Sequence, residues 1–188
     1  MKAYLPMPTR NIGISFTIDA NRINARQNDL LMNRLEQWHK DEVIDIIISE
    51  PAAEEVKAGG HPSRFSKLHS YFQTQTLAET RDEIVKLRKI SEILYGRAPI
   101  DKNEANDVKI LFNVVKYAGF LITEDGQSKT QREGILGHRG KLKKLGIEVY
   151  RTHEAVALVE KRIKHRDLRA RIIAEEQNLG LPEWVGQD

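Results

Sequence analysis

Two acidic residues of this chain follow predicted strands at points that would bring them to a common edge of a sheet. Asp19 ends the alternating, strand-like segment 14–18, and Asp125 closely follows the strand-like segment 120–123. Ligands of parallel α/β sheets bind beyond the carboxyl ends of the strands, so both side chains are candidates for a functional site. The competing interpretations are a helix cap for Asp19 and an ordinary Asp-Gly turn for Asp125.

Asp107 is a stronger candidate, because it lies on the apolar face of a predicted helix that begins with the capping-type segment 101–104. The apolar residues follow it at helical spacing and therefore share its face: Ile110, Leu111, Val114, Val115 and Ala118. A carboxylate on a buried face requires a cation, a hydrogen-bonding partner or a raised pKa. An ion pair with a lysine or an arginine is the structural alternative.

A further acidic position lies around the helix that Pro51 begins, and the sequence leaves the choice open between Glu50, Glu54 and Glu55. Val56 is expected to point into the core, which favours Glu55 as the member that faces a cleft. Acidic residues in a first helical turn are also stabilised by the helix dipole without any function. With no cysteine and no histidines paired at ligand spacing, several carboxylates favour a hard cation, Mg²⁺ or Mn²⁺.

The net charge of +3 hides an uneven distribution of charge along the chain. Residues 1–128 hold 17 basic and 18 acidic residues, residues 129–171 hold 13 and 5, and residues 172–188 hold 0 and 4. A basic segment near acidic motifs suits a polyanionic substrate, whereas a solvated helical face is the alternative. Within it, four basic side chains after Asp125 are candidates for contacts with RNA phosphates or are plain surface: Arg139, Lys141, Lys143 and Lys144.

The periodicity of apolar residues predicts an alternation of strands and helices. Strands are expected at 14–18, 43–48, 120–123 and 147–150, and helices at 29–40, 52–57, 79–95, 101–117, 141–145 and 153–176. The segment 61–78 is ambiguous and partly helical, and 124–140 is predicted to be a polar loop. This alternation predicts an α/β fold with a mostly parallel sheet covered on both faces. No apolar run of membrane-spanning length is present, so we expect a cytoplasmic protein that does not enter membranes.

Four segments together resemble the PIN-domain nucleases, and in particular the VapC type of toxin ribonuclease. They are FTIDAN at 16–21, ISEPAAEEV at 48–56, DVKILFNVVKYAGFLITED at 107–125, and LGIEVY at 145–150 followed by a helix. The third segment is the most specific, because it joins an aspartate-led helix to a Gly-Phe turn, a strand and a Thr-x-Asp ending. The resemblance covers roughly residues 13–160, and it suggests a nuclease domain at 1–165 with a C-terminal helical extension and tail at 166–188.

The resemblance implies a three-layer α/β/α sandwich that hydrolyses RNA phosphodiesters with Mg²⁺ or Mn²⁺. It assigns Asp19, Asp107 and Asp125 as metal ligands and adds Glu55 to complete the catalytic set. Asn21 and Thr123 would be supporting polar groups. A homodimer is also implied, together with an antitoxin protein that would block the site if this chain were a toxin.

One departure from the family pattern motivates a second hypothesis. Ala20 stands where the family often has Thr or Ser, which removes one hydroxyl near the expected metal. The second acidic position is also open, as described above. The alternative function is therefore a catalytically inactive PIN-fold module that binds RNA or protein.

Overall fold

A five-stranded, wholly parallel sheet forms the centre of the protein, with the strand order β3-β2-β1-β4-β5. The computed structural model describes residues 5–24, 26–126 and 133–188. The strands are β1 (Ser15–Ile18), β2 (Asp45–Ser49), β3 (Phe72–Thr74), β4 (Phe120–Ile122) and β5 (Glu148–Tyr150). In the register of the central strands, Ile18 lies opposite both Ile48 and Ile122, so β1, β2 and β4 end at the same level.

Helices cover both faces of this sheet and make three layers. They are α1 (Leu30–Lys40), α2 (Glu50–Ala58), α3 (Pro62–Leu68), α4 (Arg81–Tyr95), α5 (Lys102–Asn113), α6 (Gly134–Gly137), α7 (Arg139–Lys143) and α8 (Thr152–Gln177). Helix α1 packs against α8, whereas α2 and α4 both pack against α5. The predicted α/β/α sandwich with a central parallel sheet is therefore confirmed.

The central strands are buried on both faces of the sheet, as expected for parallel strands covered by helices on each side. Phe16, Ile18, Ile46 and Ile48 share one face and are completely buried, and Thr17, Ile47 and Ser49 are buried on the opposite face. Burial of each large apolar side chain contributes roughly 1.5–3 kcal/mol to stability. The Phe16 ring also packs 5.8 Å from the ring of Phe120, which joins β1 to β4 at the level just before the strand ends.

Strand β3 lies in the segment that sequence periodicity left ambiguous, and a buried side chain explains its position. Asn113, at the end of α5, donates from Nδ2 to the hydroxyl oxygens of Thr74 at 2.9 Å and Thr76 at 3.3 Å. Two of the three residues of β3 are exposed, so this edge strand has no apolar alternation to reveal it. Its pairing with β2 depends on hydrogen bonds from a distant helix.

Three other local predictions differ from the structure. Helical spacing in the predicted helix 29–40 indicates an apolar face made of Leu30, Leu31, Leu35 and Trp38. In the structure Leu30 is 79% exposed, and Met32 is buried in α1 beside Leu35 and Trp38. The helix predicted at 101–117 ends as an α-helix at Asn113 and continues as a π-helical turn, Val114–Ala118. In the predicted loop 124–140, residues 134–137 form the short helix α6, and residues 127–132 lie outside the described residues.

The C-terminal tail folds back onto the long helix α8, which continues without a break through residue 165. Arg166 is 6% exposed and donates from Nη2 to carboxylate oxygens of Asp167 at 2.7 Å and Asp188 at 2.9 Å. Its guanidinium also lies 4.3 Å from the ring centroid of Trp184, a cation–π contact. Arg10 also donates to Asp188, at 2.6 Å, so the C-terminal tail contacts both α8 and the N-terminal segment. In the described residues, no helix combines the length and apolarity needed to cross a bilayer.

We expect Arg166→Ala to lower the free energy of unfolding by about 3 kcal/mol, because it removes the cation shared by Asp167 and Asp188, leaves Asp188 with Arg10 alone, and removes the contact with Trp184. Urea unfolding at neutral pH measures this change. Arg169→Ala is the matched control on the same helix, since Arg169 is exposed and forms no ion pair among the described residues; its effect should stay within about 0.5 kcal/mol. Equal losses for both variants would contradict this role of Arg166.

Candidate functional site

The site begins at the switch in strand order between β1 and β4, where Asp19 and Thr123 follow neighbouring strands. The Thr123 hydroxyl donates to Oδ2 of Asp19 at 2.8 Å, and Nδ2 of Asn21 donates to the same oxygen at 2.7 Å. The backbone N–H of Asp125 in turn donates to Oγ1 of Thr123 at 3.0 Å. The hydroxyl of Thr123 thus links the two aspartates that the sequence places at this edge, and both predicted supporting residues contact Asp19.

Asp125 has a structural contact in addition to its place at the strand end. Its Oδ2 accepts the backbone N–H of Ile135 at 3.0 Å, and its backbone oxygen accepts that of Leu136 at 2.9 Å. Gly134 passes so close that a Cβ there would lie 2.9 Å from both the backbone oxygen and Oδ1 of Asp125. With a φ of +46°, this position requires glycine on two grounds. The start of α6 is therefore held directly against the Asp125 carboxylate.

Asp107 lies half-buried on α5, as its place on the apolar face predicts, and it forms no ion pair among the described residues. The hydroxyl of Tyr95 donates to its Oδ2 at 2.7 Å. Burial, together with the negative charges of Asp19, Asp125 and Glu55, raises the pKa of Asp107 to about 7, against the lowering effect of the hydrogen bond from Tyr95. Three other carboxylates therefore act on Asp107, and no lysine or arginine among the described residues forms an ion pair with it.

Of the three candidates for the second acidic position, Glu55 is the one that acts on the other carboxylates. Glu54 is exposed, and Glu50 points to the backbone N–H of Thr76 at 3.5 Å. The charge of Glu55 raises the pKa of Asp107 and also that of Asp19, whose carboxylate is destabilised first by burial. Nδ2 of the buried Asn106 donates to Oε1 of Glu55 at 2.8 Å and fixes this side chain against α5.

The four carboxylates fit a hard divalent cation by donor type, although their present positions are more open than a coordination shell. No group of three or more Asp, Glu or His side chains within the described ranges converges closely enough to hold a metal ion. In the described part of the chain, none of the four forms an ion pair, and Asp107, Glu55 and Asp125 each keep one oxygen that accepts no hydrogen bond. Carboxylate oxygens without a counter-charge are the ligands that Mg²⁺ and Mn²⁺ prefer.

A cavity of about 290 Å³ opens beside Asp107 and Asp125. Most of its exposed wall is apolar, although several side chains carry polar groups, and besides the two aspartates it consists of Leu94, Tyr95, Glu133, Gly134, Ile135 and His138. Nε2 of His138 lies 3.6 Å from Oε2 of Glu133. Sequence analysis missed Tyr95, Asn106 and His138 as site residues. Each is a single polar residue in or next to a helix, and the local sequence does not show which residue it will contact.

The predicted RNA-contacting cluster lies away from this cavity. Arg139 pairs with Glu154 at 3.0 Å, and Lys143 lies 3.9 Å from Glu148, so two of its four charges are partly neutralised. Both border a separate depression beside β5 that contains none of the four site carboxylates. Lys141 and Lys144 are exposed. The structure does not bring these four residues into the acidic site.

Comparison of this chain with models of known families, with curated proteins and with solved structures finds no match. The assignment to the PIN-domain nucleases therefore stays a prediction carried by the sequence segments. The positions of the four carboxylates are the basis for a functional proposal.

We expect Asp107→Asn to stabilise the metal-free protein in a pH-dependent manner. The raised pKa of Asp107, about 7, means that the native state holds a proton that the unfolded state releases near the ordinary aspartate value. Stability of the wild type should thus fall as the pH rises from about 4 to about 7 and then stay constant with respect to this group. The variant removes that loss, and the remaining amide oxygen still accepts from Tyr95.

Urea unfolding of both proteins over this pH range measures the difference. The advantage of Asp107→Asn should grow with pH to about 2 kcal/mol, a value discounted for partial solvent access. Glu54→Gln, which changes an exposed neighbour of the site, is the charge-matched control and should show no such trend. A pH-independent advantage of Asp107→Asn would contradict the raised pKa.

Proposed function

We propose that this protein is a divalent-metal-dependent endoribonuclease whose site consists of Asp19, Glu55, Asp107 and Asp125. The observation that carries the proposal is the position of Asp107, which faces three other carboxylates without a cationic side chain among the described residues. Such an arrangement is costly when empty and becomes favourable when a cation binds. The fold supports the proposal because the site lies beyond the carboxyl ends of β1 and β4, where α/β sheets bind ligands.

In this mechanism Asp19, Asp107 and Asp125 would hold the cation, and Glu55 would add negative charge to the same field. A cation held there would supply charge neutralisation for a phosphodiester oxygen and a lowered pKa for the attacking water. Thr123 keeps Asp19 in place, and Tyr95 does the same for Asp107 by donating to one carboxylate oxygen.

RNA is the proposed substrate because the sequence segments resemble a family of ribonucleases. A cation held by the four carboxylates would also neutralise the negative charge of an RNA phosphate. In the acidic site, hydrogen bonds from Asn21 and Thr123 hold the carboxylate of Asp19, which suits a site that must position ligands before reaction. A homodimer and an antitoxin that blocks the site remain predictions that rest on the resemblance alone.

A second candidate is a catalytically inactive module of the same fold that binds RNA or protein. It is favoured by the finding that no three acidic or histidine side chains converge on a metal position within the described residues. Ala20 also offers no hydroxyl next to Asp19. The two candidates differ in RNA cleavage and in the affinity for the divalent cation that cleavage would require.

We expect Asp19→Asn and Asp107→Asn each to lower RNA cleavage by on the order of a hundredfold or more, since each removes a charge that holds the cation. Cleavage of a labelled single-stranded RNA with Mn²⁺ measures the rates, and circular dichroism confirms that the variants fold. Glu54→Gln should cleave at the wild-type rate, because Glu54 is exposed and lies outside the carboxylate set. Undiminished, metal-stimulated cleavage by both aspartate variants would overturn the proposal.

Titration calorimetry with Mn²⁺ separates the nuclease from the inactive module. The wild type should bind the ion, and binding should raise its melting temperature because the ion associates with the native state. Asp19→Asn should lose most of this affinity, whereas Glu54→Gln should retain it. Absence of binding to the wild type at millimolar Mn²⁺ would favour the inactive module.

A further inference from the structure

A polar cleft of about 460 Å³ lies on the Asn21 side of the acidic site, apart from the cavity beside Asp107. It is bordered by the turn after β1 and by the start of α3, and its polar wall includes Asn21, Asn24, Arg26, His61, Ser63 and Arg64. Asn21 belongs to both places, because it lines the cleft and donates to the carboxylate of Asp19. The cleft and the acidic site are therefore continuous at one side chain.

Arg64 brings a positive charge to the border between the cleft and the acidic site. Its Nη2 donates to the backbone oxygen of Ala20, the residue directly after Asp19. The side chain is half-buried, yet it forms no ion pair with any carboxylate among the described residues. Arg22 differs, since its guanidinium is paired with Asp29 at 3.2 Å.

The remaining donors of the Arg64 guanidinium are thus available beside a site that itself lacks a counter-charge. Arg26, which also lines the cleft, is exposed and forms no ion pair in the described part of the chain. Arginine presents a planar set of donors that matches the oxygens of a phosphate, and asparagine and serine side chains commonly contact phosphate and sugar. The cleft combines these donors with a single carboxylate among its lining residues, that of Asp29, which is paired with Arg22.

We propose that this cleft is a phosphate-binding subsite for single-stranded nucleic acid, with Arg64 and Arg26 as the residues that contact the phosphodiester backbone. The strand would leave the acidic site past Asn21, with the phosphate next to the cleaved one held in the cleft. This deepens the proposed nuclease function and rests on it for the position of the cleaved bond. Binding itself requires no cleavage, which allows the two proposals to be tested separately.

The experiment measures the affinity of a fluorescent single-stranded RNA by anisotropy in the presence of a metal chelator, from about 50 to about 200 mM salt. Each lost phosphate contact on a single strand lowers the slope of log affinity against log salt by about 0.7. Arg64→Ala and Arg26→Ala should each show this smaller slope and a uniform loss of affinity across RNA sequences. Arg26→Ala changes an exposed side chain without hydrogen bonds among the described residues, so it tests the cleft even if Arg64→Ala fails to fold.

Arg34→Ala is the control of equal charge, because Arg34 pairs with Glu160 outside the cleft. It should retain the wild-type slope. Single-stranded DNA of the same sequence should show the same decrease for the cleft variants, since the phosphates are shared. A loss confined to RNA would assign the contact to the 2′-hydroxyl and overturn a phosphate subsite.

The possible failures point to different proposals. If the wild type binds RNA and both cleft variants keep its slope, the subsite is wrong, whereas the nuclease proposal is unaffected. If the wild type binds with the expected slopes but no cation-dependent cleavage occurs, the subsite stands and the nuclease proposal fails. If the wild type binds neither RNA nor DNA under these metal-free conditions, the subsite is wrong, and the cleavage assay with Mn²⁺ tests the nuclease proposal on its own.

Discussion

Mutual repulsion between carboxylates is the constraint around which this site is arranged. Asp19, Glu55, Asp107 and Asp125 come from four different segments, and burial together with their shared charge raises the pKa of Asp19 and of Asp107. No lysine or arginine among the described residues forms an ion pair with them. A fold that retains such an arrangement gives up stability in its empty state, and binding of a cation would restore it.

The protein limits this cost with neutral donors instead of opposite charges. A hydroxyl from Thr123, a phenol from Tyr95, an amide from Asn106 and the backbone N–H of Ile135 each hold one of the four carboxylates. Hydrogen bonds to an ionised group stabilise it without cancelling its charge. The carboxylates are therefore held in place and keep their negative charge. Salt bridges would also hold them, but they would cancel the charge that attracts a cation.

Two different surfaces adjoin the carboxylates, and together they suggest how a long substrate would approach. The cavity beside Asp107 and Asp125 is mostly apolar, whereas the cleft beside Asn21 is polar and contains Arg64. Of the predicted RNA-contacting residues 139–144, Arg139 and Lys143 lie near β5 and are partly neutralised by Glu154 and Glu148. Local geometry, and not the number of basic residues, thus determines which positive charges remain available to a polyanion.

The sequence by itself determined the α/β class, the central strands and the placement of Asp19 and Asp125 at one sheet edge, because apolar periodicity and strand ends are local properties. It also placed Asp107 on a buried face. Tertiary structure alone decided that β3 lies at the sheet edge, where Asn113 contacts Thr74, and that Tyr95 and Arg64 border the site, while Asn106 holds Glu55, the residue that the expected orientation of Val56 had favoured. These features depend on side chains that meet across long sequence separations, and local spacing carries no information about which polar group will find which partner.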